Sequence, residues 1–293
     1  MTLPDLSAGA TGHVSTADGL RLHYEIHGSG ERTLVLPLAC WMLPDLAAVA
    51  PATRIVGYDP RGRGRSETVA ADTRLGVDAD TEDLDGLLDT LGLEHVSLLG
   101  WSYFGGVAGR YAAAHRDRVR AVAMISPLPL RRIPHVGRAA QAVADRIDAE
   151  AMAALGRDAR KGAHTTHPEQ FCRGWNRALA PAYTSNPTAL ASMRADPCAC
   201  PNEHPAAVNT LLARIWQAMG DWDWREELRT LSVPALVLQG EADFQPRAAA
   251  EEWGALPGTE LVVVPGAGHL AWLDRPDAVG RALKSFLDRS SGG

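Results

Sequence analysis

No stretch of this chain approaches the ~20 consecutive apolar residues that a membrane-crossing helix needs. The N-terminal "MTLPDLSAGATGH" has neither the basic start nor the apolar middle of a secretory leader. The two absences together lead us to expect a soluble, cytoplasmic protein with no membrane partner. Positive charge is scarce as well, with 29 Lys and Arg against 35 Asp and Glu and a formal net charge of −6. The densest basic run, "RGRGRS" with Arg61, Arg63 and Arg65, is short and broken by glycine, and it reads as a loop rather than an anion site. Without a concentrated basic face to neutralise phosphates, nucleic acid is not an expected partner. Cysteine is limited to Cys40, Cys172, Cys198 and Cys200, too few and too irregular for a disulfide framework. The C-x-C pair has no second pair to complete a zinc site. Reduced thiols are the expectation, with a bridge from Cys172 to Cys198 or Cys200 left open. No internal repeat is visible.

Among what is there, 46% hydrophobic and 22% charged residues over 293 positions describe a globular chain able to bury a large core. Short β-branched runs alternate with longer helical patterns, as in a mostly parallel sheet covered by helices on both faces. "GHVSTADGLRLHYEIHG" predicts an opening antiparallel hairpin around Asp18-Gly19. Strands then follow over 33–38, 54–59, 95–100, 119–126, 234–240 and 260–266, with helical periodicity over 76–91, 103–115, 246–255 and 276–288. Residues 130–228 lack a convincing strand and are too long for a loop. The expectation is therefore an α/β core of about eight strands, residues 1–129 and 229–293, carrying an inserted helical cap over 130–228.

Three residues point to chemistry. Ser102 follows an apolar strand and precedes a helix in "VSLLGWSYFGGVAGRY". Asp243 lies just beyond "PALVLQG", and His269 just beyond "ELVVVPG". All three thus fall after the carboxyl ends of parallel strands, where open α/β sheets bind ligands. A serine hydroxyl needs a base to take its proton, imidazole is the neutral side chain suited to this near pH 7, and a carboxylate holds the imidazole in the right tautomer. Taken alone, Ser102 reads as a helix N-cap and His269 as a loop histidine; it is their combination with Asp243 that favours acyl transfer. Glu241 is the competitor for the acid.

"GWSYFGG" (100–106), "YDPRGRGRS" (58–66), "GEAD" (240–243) and "GAGH" (266–269) resemble, in this order, the motifs of the α/β-hydrolase superfamily, which includes esterases, lactonases and proline iminopeptidases. The resemblance covers nearly all of the chain outside the cap. It implies the α/β-hydrolase fold, a Ser102–Asp243–His269 triad in that chain order, and no cofactor or metal. By position, the amides of Ala39 and Tyr103 are the expected oxyanion donors. The chain departs from the pattern in two places. Phe104 stands where the elbow motif has glycine, and Pro37-Leu38 replaces the His-Gly pair that often follows the third strand. Tyr103 as nucleophile is no remedy, because a phenol with a pKa near 10 is a poor candidate.

Trp41, Trp101 and Phe104 are expected to line a substrate pocket or to fill core, with nothing in the sequence to separate the two roles. Trp222 and Trp224 read as pins between cap and core, Asp223 and Arg225 as a local ion pair, and His164 and His167 as solvated cap residues. The expected activity is cleavage of a carboxylic ester or lactone, with a bulky or macrocyclic small-molecule substrate compatible with the large lid. One alternative is a proline-iminopeptidase-like exopeptidase, in which Glu203, Glu226 or Glu227 would hold the substrate's amino group. Another is a non-catalytic ligand-binding homologue. Either a monomer or a homodimer is compatible with the sequence.

Overall fold

The Asp18-Gly19 turn folds β1 (Thr11–Ser15) back on β2 (Arg21–His27) as an antiparallel pair. The structure, a computed structural model, describes residues 6–50 and 53–290, so the start of the N-terminal stretch read for a leader lies outside it. β2 also pairs antiparallel with β4 (Arg54–Tyr58), and every later pairing is parallel. With β3 (Thr33–Pro37), β5 (Val96–Trp101), β6 (Val119–Ile125), β7 (Ala235–Gly240) and β8 (Thr259–Val264), the eight-stranded order is β1-β2-β4-β3-β5-β6-β7-β8. β3 and β7 are buried along their whole length, which is why they read as continuous apolar runs rather than alternating ones.

Helices α1 (Ala39–Val49), α2 (Val77–Leu91) and α3 (Tyr103–Ala114) follow β3, β4 and β5. Between β6 and β7 lie α4 (His135–Ala144), α5 (Ala149–Arg160), α6 (Ala163–Thr166), α7 (Pro168–Tyr183), α8 (Pro205–Met219) and α9 (Arg225–Leu228). α10 (Arg247–Gly254), α11 (Ala271–Asp274) and α12 (Pro276–Arg289) complete the chain. Two helices were not expected from the sequence. In α1 the internal Pro44 breaks the helical signal, yet burial of Met42, Leu43 and Leu46 outweighs the hydrogen bond that proline removes. α11 is a single turn, too short for periodicity to register.

The helical segment is fastened to the sheet at its two ends. Near 130 and 224, Trp222 Nε1 donates to Pro129 O at 3.0 Å, Trp224 N donates to Leu130 O at 2.8 Å, and Arg131 and His135 both meet Glu252 of α10. The expectation of reduced cysteines is corrected here. Cys172 pairs with Cys198, and Cys40, at the start of α1, pairs with Cys200. The second pairing was invisible in the sequence because it joins residues 160 positions apart that only the inserted segment brings together. Next to it Glu203 accepts from Trp41 Nε1, Arg63 and Gly64 N, so the 198–203 stretch is held to the core both covalently and by charge.

The turn from β5 into α3 needs two close approaches. A Cβ on Gly100 would fall on the carbonyl oxygen of Phe104, and one on Gly105 would come within 2.9 Å of Pro127 Cα. Gly105 therefore provides the close approach of α3 to the segment after β6, the role the motif usually gives to the preceding residue. That leaves Phe104 free to carry a ring, which is buried and packs edge-on to Tyr103 at 5.0 Å.

Gly100→Ala is expected to destabilise the fold on the order of 3 kcal/mol, because backbone rather than a flexible side chain must yield; chemical denaturation of the variant checks this. Replacing Cys40 and Cys200 together by serine should lower stability by about 2–4 kcal/mol through the entropy returned to the unfolded chain, and the same denaturation curves read the loss.

Candidate active site

Ser102 sits at the junction of β5 and α3 with φ 52° and ψ −120°. For a residue with a Cβ this left-handed backbone is strained, by roughly 1–3 kcal/mol. The strain is held in place by hydrogen bonds on both sides: Ser102 N donates to Ile125 O at 3.0 Å, while Ser102 O accepts from Leu128 N at 2.8 Å and Gly105 N at 3.0 Å. The hydroxyl is thereby lifted clear of the sheet's carboxyl edge. His269 arrives on the loop after β8, and its Nε2 lies 3.0 Å from Ser102 Oγ. Asp243 arrives on the turn after β7, with Oδ1 2.9 Å and Oδ2 3.2 Å from His269 Nδ1. A carboxylate can only accept, so Nδ1 carries the hydrogen and Nε2 is left to accept from the Ser102 hydroxyl. Glu241, the sequence competitor, instead accepts from Gly266 N at 3.0 Å, away from the imidazole.

Several contacts fix the histidine. His269 is 1% exposed. Its ring is flanked by Phe244 at 4.2 Å, Trp101 at 5.1 Å and Tyr183 at 5.4 Å between centroids. Trp101 Nε1 donates to His269 O at 3.0 Å. Asp274 accepts from Gly268 N on the histidine loop and from Ser185 N and Asn186 N at the end of α7, so one carboxylate ties that loop to the helical segment. Asp243 is held from its other side by Gln245 N, which donates to Oδ1 at 2.9 Å.

Ala39 and Tyr103 are the first residues of α1 and α3, so neither amide has an acceptor within its own helix. The neighbouring Cys40 N is already committed to Asp59 Oδ1 at 2.8 Å. Leu38, at the place of the missing glycine, adopts the left-handed region with φ 58° and ψ 41° and is almost fully buried.

Above Ser102 a cavity of about 1170 Å³ opens between the sheet edge and the helical segment. That is at the upper end of, or beyond, the usual range for small-molecule sites, roughly 300–1,000 Å³. Trp41, Trp101 and Phe104 all line it, so the two roles left open by the sequence coexist: each ring is packed on one side and faces the cavity on another. Trp41 and Trp101 meet edge to face at 5.6 Å. The arginines of "RGRGRS" are each paired: Arg61 with Asp83 and Asp18, Arg63 with Glu203, and Arg65 with Glu25 and Asp59. Asp223 and Arg225 form the expected local pair, and the guanidinium holds the Asp223 carboxyl down at about 2. His167 is exposed as expected, but His164 is not solvated: it is half-buried, with its ring 6.1 Å from that of Phe171. Neither lines the cavity, and no cluster of three or more metal-type ligands occurs among the described residues.

Asp80 of α2 is a cavity residue to which the sequence reading assigned no role. It is buried and accepts from the Tyr103 hydroxyl at 2.6 Å. Burial pushes its carboxyl up to about 7, with the Tyr103 hydrogen bond acting in the opposite direction. Because the folded value is raised, the stability this group contributes is complete below the ordinary carboxylate range and is lost as the pH climbs through 7. Its signal was present in the sequence: Asp80 falls at helical spacing with Leu84, Leu87 and Leu91, on the face α2 buries.

With this geometry in view, the chain can be set beside known proteins. It is 28% identical over 285 residues to a putative carbamate hydrolase, RutD, of Caulobacter sp. (strain K31), covering 93% of this chain and 97% of that one. It is 28% identical over 268 residues to the non-heme chloroperoxidase CPO-A1 of Kitasatospora aureofaciens, covering 87% and 90%. A thermophilic esterase from Thermogutta terrifontis shares the fold, with a TM-score of 0.68 and 22% identity over 96% of this chain and 99% of that one. Residues 26–276 match the family model for the alpha/beta hydrolase fold, and with the sheet order and the strand-to-helix turn at Ser102 the chain belongs to the α/β-hydrolase fold family.

Proposed function

We propose that the protein is a cofactor-independent serine hydrolase that cleaves a carboxylic ester or lactone through an acyl-enzyme on Ser102. The observation that carries this reading is the unbroken run of contacts from Ser102 Oγ to His269 Nε2 at 3.0 Å and from His269 Nδ1 to Asp243 at 2.9 Å. Ser102 Oγ attacks the carbonyl carbon as His269 Nε2 takes its proton, and Asp243 stabilises the imidazolium. The amides of Ala39 and Tyr103 receive the negative charge on the carbonyl oxygen, at helix N-termini where partial positive charge is already concentrated. His269 then gives its proton to the leaving alcohol. In the second half, water loses a proton to the same nitrogen, attacks the acyl carbon and releases the acid.

Residues 130–228 act in this reading as a cap that roofs the site, and the size and mainly apolar lining of the cavity favour a bulky substrate, macrocyclic lactones among them. The exopeptidase reading loses its best support. Glu203 already accepts from Trp41, from both arms of Arg63 and from Gly64 N, leaving no lone pair for an incoming ammonium, and Glu226 and Glu227 do not line the cavity. The ligand-binding reading has no specific observation in its favour. Among the described residues no helix is long and apolar enough to cross a membrane. Two disulfides favour an oxidising compartment over the reducing cytoplasm expected from the N-terminal sequence.

Steady-state rates on p-nitrophenyl butyrate, a bulky lactone and prolyl-naphthylamide test the reading. The wild type should turn over the ester or lactone and leave the aminoacyl amide intact. Ser102→Ala should lose roughly 10⁴-fold or more in kcat, and Asp243→Asn should approach that loss with the fold unchanged. Preference for prolyl-naphthylamide would contradict the proposal.

A further inference from the structure

Three carboxylates line the cavity, and two of them are neutralised by the protein. Asp196 meets Arg173 at 2.8 Å, and Glu203 meets Arg63 at 2.6 Å. The third, Asp80, has no cation of its own. Its hydrogen-bond partner is the neutral phenol of Tyr103, and the guanidiniums whose fields reach it are spent elsewhere: Arg61 on Asp83 and Asp18, Arg63 on Glu203. A buried carboxylate without a counter-ion opposes folding, and replacing it by a neutral group of the same shape is usually tolerated or stabilising. A structural role does not require the charge, since an asparagine carbonyl could accept from Tyr103 equally well. What the charge does supply is an anionic spot in a largely apolar chamber whose other two carboxylates are already paired.

We propose that Asp80, oriented by Tyr103, is a subsite for a cationic amine carried by the substrate, which serves as the counter-ion the protein itself omits. Because Asp80 meets the tip of the Tyr103 side chain and not its backbone, the amine sits away from the carbonyl that Ser102 attacks. The substrate class is thus a bulky, mainly apolar ester or lactone bearing a basic nitrogen remote from the scissile bond. The inference rests on reading the cavity as the substrate pocket, not on the chemistry at Ser102.

Around Asp80 the charged and titratable groups are Asp83 on α2, Arg61 and Arg63 in the loop after β4, Tyr58 on β4 and Tyr103 on α3. The guanidiniums do not deprotonate in proteins, and burial raises both phenols well above their ordinary values, so these keep their protons near neutrality. The Asp83 carboxyl is also raised by burial, but it is held by two hydrogen bonds from Arg61. Asp80 is therefore the group whose charge changes at the cavity wall as the pH passes about 7.

The test uses the Ser102→Ala protein, so that binding is read without turnover. ω-(Dimethylamino)alkyl 4-phenylbutanoates with spacers of increasing length compete against isopropyl-ended isosteres of equal bulk and no charge. At one or two adjacent spacer lengths the amine should bind about 10-fold more tightly at about pH 8, and the preference should fall toward unity at about pH 5, where Asp80 is protonated. Adding Asp80→Asn should abolish the preference, so that each amine and its isostere bind alike. The pH arm needs no further substitution, so it decides the matter if that variant misfolds. Absence of a preference at every spacer length, or a preference that survives Asp80→Asn or the drop in pH, overturns the subsite. If the amine preference is found but the wild type hydrolyses none of these esters, the subsite stands and the hydrolase reading is the one that fails.

Discussion

Everything at the candidate site depends on a serine being held in a backbone conformation that serines avoid. The φ of 52° at Ser102 turns β5 into α3 within a single residue, and that sharpness is what frees the hydroxyl from the sheet and leaves the Tyr103 amide without an acceptor. Three backbone hydrogen bonds clamp the residue, two of them to β6 and the segment that follows it. Glycines at 100 and 105 let helix and strands come close enough for the clamp to close. Strain of this kind persists only where the surroundings over-determine it. The same bargain recurs at Leu38, whose left-handed backbone starts α1 beside the cavity, held by its buried side chain.

The inserted helical segment is joined to this machinery more tightly than a simple lid would be. Asp274 accepts from the histidine loop and from the end of α7 together, and Tyr183 of α7 packs on the His269 ring. Cys40, one residue from the Ala39 amide, is bonded to Cys200, and Glu203 reaches Trp41 from the same stretch. The segments that follow β3 and β8 are thus braced from above. These contacts keep the helical segment in register with Ser102 across a cavity of about 1170 Å³.

Much of this was legible in the sequence, for identifiable reasons. The central strands could be read because burial on both faces leaves uninterrupted apolar runs, and β1 and β2 because the Asp18-Gly19 turn separates them. Ser102, Asp243 and His269 could be read because each follows such a run directly. The displaced elbow glycine was harder: it is Gly105 against Pro127 that does the close packing, a relation between α3 and the segment after β6 that no local pattern contains. The Cys40–Cys200 bond and the saturation of Glu203 likewise depend on where the insertion comes to rest, which spacing along the chain does not encode. Asp80 is the instructive miss. It is one of six acidic residues in the α2 stretch "VDADTEDLDGLLD", and composition makes it one more solvated charge. Only its phase with Leu84, Leu87 and Leu91 marks it as inward-facing.

The central claim is that Ser102 is an activated nucleophile and His269 is what activates it. Intact-mass measurement and peptide mapping after brief exposure to a fluorophosphonate test it most directly. A single stoichiometric adduct on Ser102 is expected, formed at least roughly 10³-fold more slowly in His269→Ala. An unlabelled Ser102 in folded protein, or labelling at the same rate without His269, would contradict it.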